Sequence, residues 1–232
     1  MTNRTRIKIC GLTRAADVDI AVAAGADAIG LVFYAASQRH VTASHAATLL
    51  QSVPAFVTVT GLFVNATVAE VEQIVREVPV SLLQFHGDET PAQCALIAEV
   101  VNRPFIRAMR IGPTATTVDL LKYAQQYRGV SPLFAGLLLD TLVDGFGGGG
   151  KVFDWSLIPE ELAHRVVLSG GLNAHNVTDA VTRVRPFAVD VSSGVESAKG
   201  IKDSEAIHRF IAAVRTADTA PATNLLQENH HD

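Results

Sequence analysis

Five side chains in this sequence could do chemistry: Cys10, Arg39, His86, Asp140 and Asp190. A thiol at the end of Arg6-Ile-Lys-Ile-Cys10 shares a strand face with Lys8, because side chains alternate along a strand while Ile7 and Ile9 take the other face. Positive charge beside a thiol favours the thiolate, which is a workable base. The bland alternative is a buried cysteine acting as a small hydrophobe, and that is the expectation for Cys94 on its amphipathic helix. Asp140 ends the apolar run Gly136 to Leu139, so its carboxyl either caps the next loop or serves as a general acid to a leaving oxygen. Asp190 closes another apolar run and either pairs with Lys8 or contacts substrate. Arg39 has the fork that suits a carboxylate, against the alternative of a solvated surface cation. His86 is either a neutral hydrogen-bonding group or a core histidine.

Glycines carry a second signal. Ser169-Gly170-Gly171-Leu-Asn173 and Ser192-Ser193-Gly194 each follow an apolar run, where backbone N–H groups can cradle a phosphate. Each alone is an ordinary turn; as a pair on the last two units they point to a phosphate site. The run Gly145 to Lys151, with four glycines at 147 to 150, reads either as a connector or as a lid over the substrate.

Positioning these groups requires a scaffold that gathers strand ends. The expected strands are Arg6–Cys10, Ala28–Phe33, Val57–Val64, Leu82–Phe85, Phe105–Ile111, Leu133–Asp140, Val166–Ser169 and Ala188–Val191. Helical stretches follow them, near Ala15–Ala24 after a Thr13 able to cap, Thr42–Gln51, Val68–Glu77, from Thr90-Pro91, Thr117–Gln126, Asn173–Val184 and Ser204–Val214, with a weak one after the sixth strand. Eight such units predict a single-domain (β/α)8 barrel over residues 1–215, with all strand ends at one mouth. An open doubly wound sheet would show G-x-G-x-x-G after the first strand, and Cys10-Gly-Leu-Thr13 is not that. Residues 216–232 lack periodicity and read as a disordered tail.

The chain has 232 residues, 48% of them hydrophobic, enough for one sizeable core. Its net charge of −4, without a basic run, argues against nucleic acid or an anionic membrane as partner. No apolar run reaches the roughly 18 residues of a membrane span, and Met1-Thr-Asn-Arg4 does not resemble a signal peptide. The expected address is the cytosol, where Cys10 and Cys94 remain thiols. Nothing in the histidine and carboxylate spacing announces a metal, and none is expected.

The motifs resemble phosphoribosylanthranilate isomerases of tryptophan biosynthesis. The matching pieces are Lys8-Ile-Cys-Gly-Leu-Thr13, Ser37-Gln-Arg39, Leu83-Gln-Phe-His-Gly-Asp-Glu89, Leu138-Leu-Asp-Thr141, Gly147-Gly-Gly-Gly-Lys-Val-Phe-Asp-Trp155, Ser169-Gly-Gly-Leu-Asn173 and Asp190-Val-Ser-Ser-Gly-Val-Glu196. The resemblance implies a cofactor-free Amadori rearrangement of a small phosphosugar by a monomer or homodimer. Within it, Asp140 is the general acid, Cys10 the general base, and Arg39 the holder of the anthranilate carboxylate. Gly170, Gly171, Ser192, Ser193 and Gly194 would hold the phosphate, with His86 and Asp190 lining the site. Two loops depart from the family: Gly149 stands where a Thr or Ser is usual, and Lys199 where proline is common. Two other readings share many of these residues. A histidine-pathway aminoaldose phosphate isomerase resembles a barrel with aspartate at the first strand end, where this chain has Cys10. A catalytically silent phosphate-binding barrel, serving as an interaction module, would have no need of both Cys10 and Asp140.

Overall fold

Eight parallel strands close on themselves in sequence order, the first pairing with both the second and the eighth. They are β1 Arg6–Cys10, β2 Ala28–Val32, β3 Thr58–Phe63, β4 Leu82–Phe85, β5 Phe105–Ile111, β6 Phe134–Thr141, β7 Val166–Leu168 and β8 Ala188–Val191. The helices between them are α1 Ala15–Ala23, α2 Ala43–Leu49, α3 Val68–Glu77, α4 Pro91–Val101, α5 Thr117–Arg128, the single turn α6 Glu160–Ala163, α7 Val177–Val184 and α8 Ser204–Thr219. A small antiparallel pair, β9 Glu196–Ala198 and β10 Ile201–Lys202, lies between β8 and α8. This computed structural model describes residues 4–142 and 152–219. The glycine run at 145–151, read as connector or lid, and residues 220–232 of the expected tail lie outside the described residues.

The period of two divides each strand between two environments. Ile7, Ile9, Ile29, Leu31, Leu83 and Phe85 face the helices and are wholly buried in the main core. Aromatic rings bridge part of that layer, with Phe63, Phe85, Phe105 and Phe134 in successive contacts of 6.4, 5.7 and 5.5 Å between centroids. The barrel interior is uneven. Ile106, Ala108 and Leu138, packed with Leu82 and Val167, form a separate apolar cluster on one side. On the other side the interior carries Lys8, Asp190, Thr60 and Gln84, all buried. An interior this polar points to a site at the mouth rather than to packing alone.

Capping residues fix where the helices begin. Thr67 with Glu70, Thr90 with Gln93 and Thr116 with Asp119 form reciprocal capping boxes, and Pro91 occupies the first turn of α4. Thr13 does not cap α1, as the sequence suggested. Its hydroxyl donates to Gly200 O at 2.5 Å, and Arg14 stands at the cap position. α7 also begins later than its expected start at Asn173. Asn173 and Asn176 spend their side chains on turn bonds, Asn176 Oδ1 accepting from Asn173 N at 2.9 Å and Asn176 Nδ2 donating to Gly171 O at 3.0 Å.

The tail boundary also moves. α8 runs on to Thr219, so residues 216–219 are helical rather than disordered. Ala217 continues the buried stripe of Ile207, Phe210, Ile211 and Val214, and the Asp218 carboxylate accepts from Thr5 N at 3.0 Å and Thr5 Oγ1 at 2.7 Å.

Candidate active site

Strand register assembles the site. β1 against β8 sets Lys8 opposite Asp190, and the Lys8 ammonium donates to Asp190 Oδ1 at 2.7 Å with both side chains buried. Of the two readings of Asp190, the ion pair is therefore present, and the residue lines the cavity as well. Its other oxygen accepts from Ser169 Oγ at 3.0 Å, which ties the end of β7 to the pair. Burial works against the Lys8 ammonium, but Asp190 outweighs it and the pKa of Lys8 lies above the ordinary value.

Cys10 sits one pleat above Lys8, 5% exposed. Gly30 on β2 makes room for both: a Cβ there would stand 2.6 Å from Cys10 Sγ and 3.1 Å from Lys8 Nζ. The cation beside the thiol does not act alone. Burial pushes the thiol's pKa up, and Lys8, drawn to Asp190, only partly offsets this, so the resting sulfur is more firmly protonated than a free thiol. Cys94 is buried in α4, where burial pushes its thiol up to about 12, the behaviour of a small hydrophobe.

Across the mouth, Asp140 takes two hydrogen bonds. Oδ1 accepts from Thr141 N at 2.8 Å, and Oδ2 lies 3.1 Å from His86 Nε2. His86 Nδ1 lies 3.1 Å from Gln84 Nε2, so β4 and β6 are joined through a row of polar groups. Gly170 is what lets β7 approach this row: its φ is +84°, and a Cβ would stand 2.5 Å from Thr141 N and 2.7 Å from Asp140 Oδ1.

Cys10, Arg39, His86, Asp140, Gly170, Gly171, Asp190, Ser192 and Ser193 all line one cavity at the C-terminal ends of the strands. Gly194, expected beside the phosphate, is not among the lining residues. Its lack of a side chain serves packing, since a Cβ would overlap the Leu172 carbonyl of the neighbouring loop. Arg39 lines the cavity, but its fork is engaged: Nε donates to Glu196 Oε1 at 2.7 Å and Nη2 to Glu196 Oε2 at 2.8 Å. Lys202 was not singled out in the sequence at all, and Glu196 only as the end of a motif. Neither lies in an apolar run that would draw attention to it. Among the described residues, no group of three or more His, Cys, Asp or Glu side chains could hold a metal ion.

Comparison with known proteins decides the family. A family model described as N-(5'phosphoribosyl)anthranilate (PRA) isomerase matches residues 7–213. The chain belongs to this family. It is 64% identical over 220 residues to the N-(5'-phosphoribosyl)anthranilate isomerase of Herminiimonas arsenicoxydans, covering 95% of this chain and 97% of the relative. The crystal structure of phosphoribosyl anthranilate isomerase from Thermotoga maritima is 39% identical with a TM-score of 0.79, covering 91% of this chain and 99% of that one. A phosphoribosyl anthranilate isomerase in complex with reduced 1-(o-carboxyphenylamino)-1-deoxyribulose 5-phosphate is 38% identical, at TM-score 0.77 and the same coverage. The family is one of isomerases in tryptophan biosynthesis, and its fold is the closed eight-stranded barrel described above.

Proposed function

We propose that the chain converts N-(5-phosphoribosyl)anthranilate to 1-(2-carboxyphenylamino)-1-deoxyribulose 5-phosphate with Cys10 as general base and Asp140 as general acid, and without a cofactor. The observation that carries this reading is one cavity lined from β1 by Cys10 and from β6 by Asp140. Asp140 gives its proton to the furanose ring oxygen as the C1–O bond breaks and the nitrogen lone pair forms an iminium. Cys10 as thiolate then takes the proton from C2, and the C2–H electron pair neutralises the iminium to give an enolamine. Proton return to C1 and loss from the C2 hydroxyl yield the ketone.

The surroundings fit these two roles. His86 and the Thr141 amide fix the direction of the Asp140 carboxyl. Lys8 lies beneath the sulfur, and the iminium formed in the first step adds a positive charge next to it when the C2 proton must leave. Gly170-Gly171 and Ser192-Ser193 offer the cavity backbone N–H groups for phosphate, and Arg39 offers a cation for the aromatic carboxylate. Both cysteines are free and buried, in keeping with a cytosolic address, and among the described residues no helix is long and apolar enough to cross a membrane.

The test is turnover followed by loss of anthranilate fluorescence. Cys10→Ala and Asp140→Ala each lower kcat by about 100-fold or more with unchanged circular dichroism. Parent-like turnover in either variant overturns the assignment.

A further inference from the structure

Arg39 reaches the cavity from the loop after β2 and Ser192 from the loop after β8, and one carboxylate ties both loops together. Glu196 opens β9, and its side chain is 5% exposed. Oε1 accepts from Arg39 Nε at 2.7 Å, from Lys202 Nζ at 2.9 Å and from Gly200 N at 3.4 Å, while Oε2 accepts from Arg39 Nη2 at 2.8 Å. The Lys202 ammonium, its side chain wholly buried, also donates to Ser192 O at 3.0 Å and Ser192 Oγ at 3.4 Å. Two cations thus share one anion and leave a positive charge in excess beside the mouth. Gly11 clears the space for this knot: its φ is +74°, and a Cβ would stand 2.5 Å from Arg39 Cδ and 3.0 Å from Ser192 Oγ.

We propose that Glu196 is a positioning residue that sets the grip on both ends of the substrate at once. It holds the Arg39 fork by Nε and Nη2, so that Nη1, which makes no hydrogen bond to the described residues, is presented to the aromatic carboxylate. Through Lys202 it holds the Ser192-Ser193 turn in the shape that receives phosphate. An arginine on a free stem would have to be ordered at each binding event, and a stem fixed beforehand escapes that cost. The inference rests on the reading of the cavity given under Proposed function.

The test uses the full-length chain. Glu196→Gln keeps the shape but replaces one acceptor oxygen by an amide NH2 that cannot receive a guanidinium proton. KM rises about 10-fold or more while kcat stays within about 3-fold, the pattern of lost binding rather than lost chemistry. Inorganic phosphate and anthranilate, used as competitive inhibitors, both weaken by about 5-fold or more, because both grips hang on one carboxylate. Lys202→Met weakens phosphate alone, and Glu196→Asp, which keeps the charge, falls between the parent and Glu196→Gln. A folded Glu196→Gln variant with KM and both inhibition constants within about 2-fold of the parent overturns the proposal. Should Glu196→Gln fail to fold, Lys202→Met decides, and unchanged phosphate inhibition there overturns the link. An Arg39→Ala variant with unchanged KM would instead remove Arg39 from the substrate reading, while phosphate inhibition of the other variants still decides whether Glu196 governs the turn.

Discussion

The Lys8 ammonium and the Asp190 carboxylate meet at 2.7 Å across the seam where β8 closes on β1, directly beneath the Cys10 thiol. Burial of the sulfur is the main reason its pKa lies above the ordinary thiol value; Lys8 pulls the other way, and Asp190 offsets part of that pull. A base must be unprotonated to act, so kcat/KM, which reports the free enzyme, rises with pH through neutrality and beyond about pH 8. Lys8→Met moves that rising limb to still higher pH, because the cation that most favours the thiolate is gone and Lys202 is left to draw the proton off. A pH–rate profile flat from pH 7 upward would contradict this reading of the sulfur.

His86 holds one oxygen of Asp140 from β4, and the Thr141 amide holds the other. Removing the imidazole leaves the carboxyl in place but free to turn. His86→Ala therefore lowers kcat by about 10-fold, less than removal of Asp140 itself. The His86→Ala, Asp140→Ala double variant is no slower than Asp140→Ala alone, since the histidine acts through the carboxyl. Additive losses in that cycle would show an independent role for His86, such as direct substrate contact.

Gly170 is left-handed at φ +84° and lies against Thr141 and Asp140 with no room for a Cβ. Gly170→Ala is strained by its backbone and displaces the acid, so stability falls by about 1–3 kcal/mol and turnover falls with it. Urea denaturation alongside the fluorescence assay checks both. A parent-like midpoint would mean that the loop relaxes without cost. Ala at Gly25, which has nothing within 4 Å of a Cβ, separates strain from crowding.

The barrel was legible in the sequence because each strand is a short apolar run punctuated by a turn, and because the face shared by Lys8 and Cys10 follows from the period of two alone. Whether Asp190 paired with Lys8 was open until β1 and β8 were seen in register, since closure brings together residues 182 positions apart. The Arg39–Glu196 pair spans 157 positions and depends on two long stems meeting over Gly11, for which no periodicity exists to be read. The protonation of Cys10 was not legible for the same reason: Lys8 was visible as a nearby cation, but how deeply closure of the barrel buries the sulfur was not.

Carboxylates that fasten the shell make the fold acid-sensitive. Asp27 joins the N-terminal segment to α8: it accepts from Arg4 and from Ile7 N at 2.9 Å, and Arg215 lies 3.5 Å away. Burial raises its pKa, but Arg4, the Ile7 amide and Arg215 outweigh that and hold it below the ordinary value; Glu196 is likewise lowered, Arg39 and Lys202 overcoming its burial. A carboxylate with a lowered folded pKa contributes stability that is fully present above the unfolded value, near pH 4, and is lost as pH falls through the folded value. The melting temperature is accordingly flat between about pH 6 and 5 and drops steeply below about pH 4. Asp27→Asn melts a few degrees lower at neutral pH and loses less on acidification, because one of the groups that must be protonated is already absent. Calorimetric scans across that range check the slope, and an Asp27→Asn curve parallel to that of the parent would show that these ion pairs carry none of the acid sensitivity.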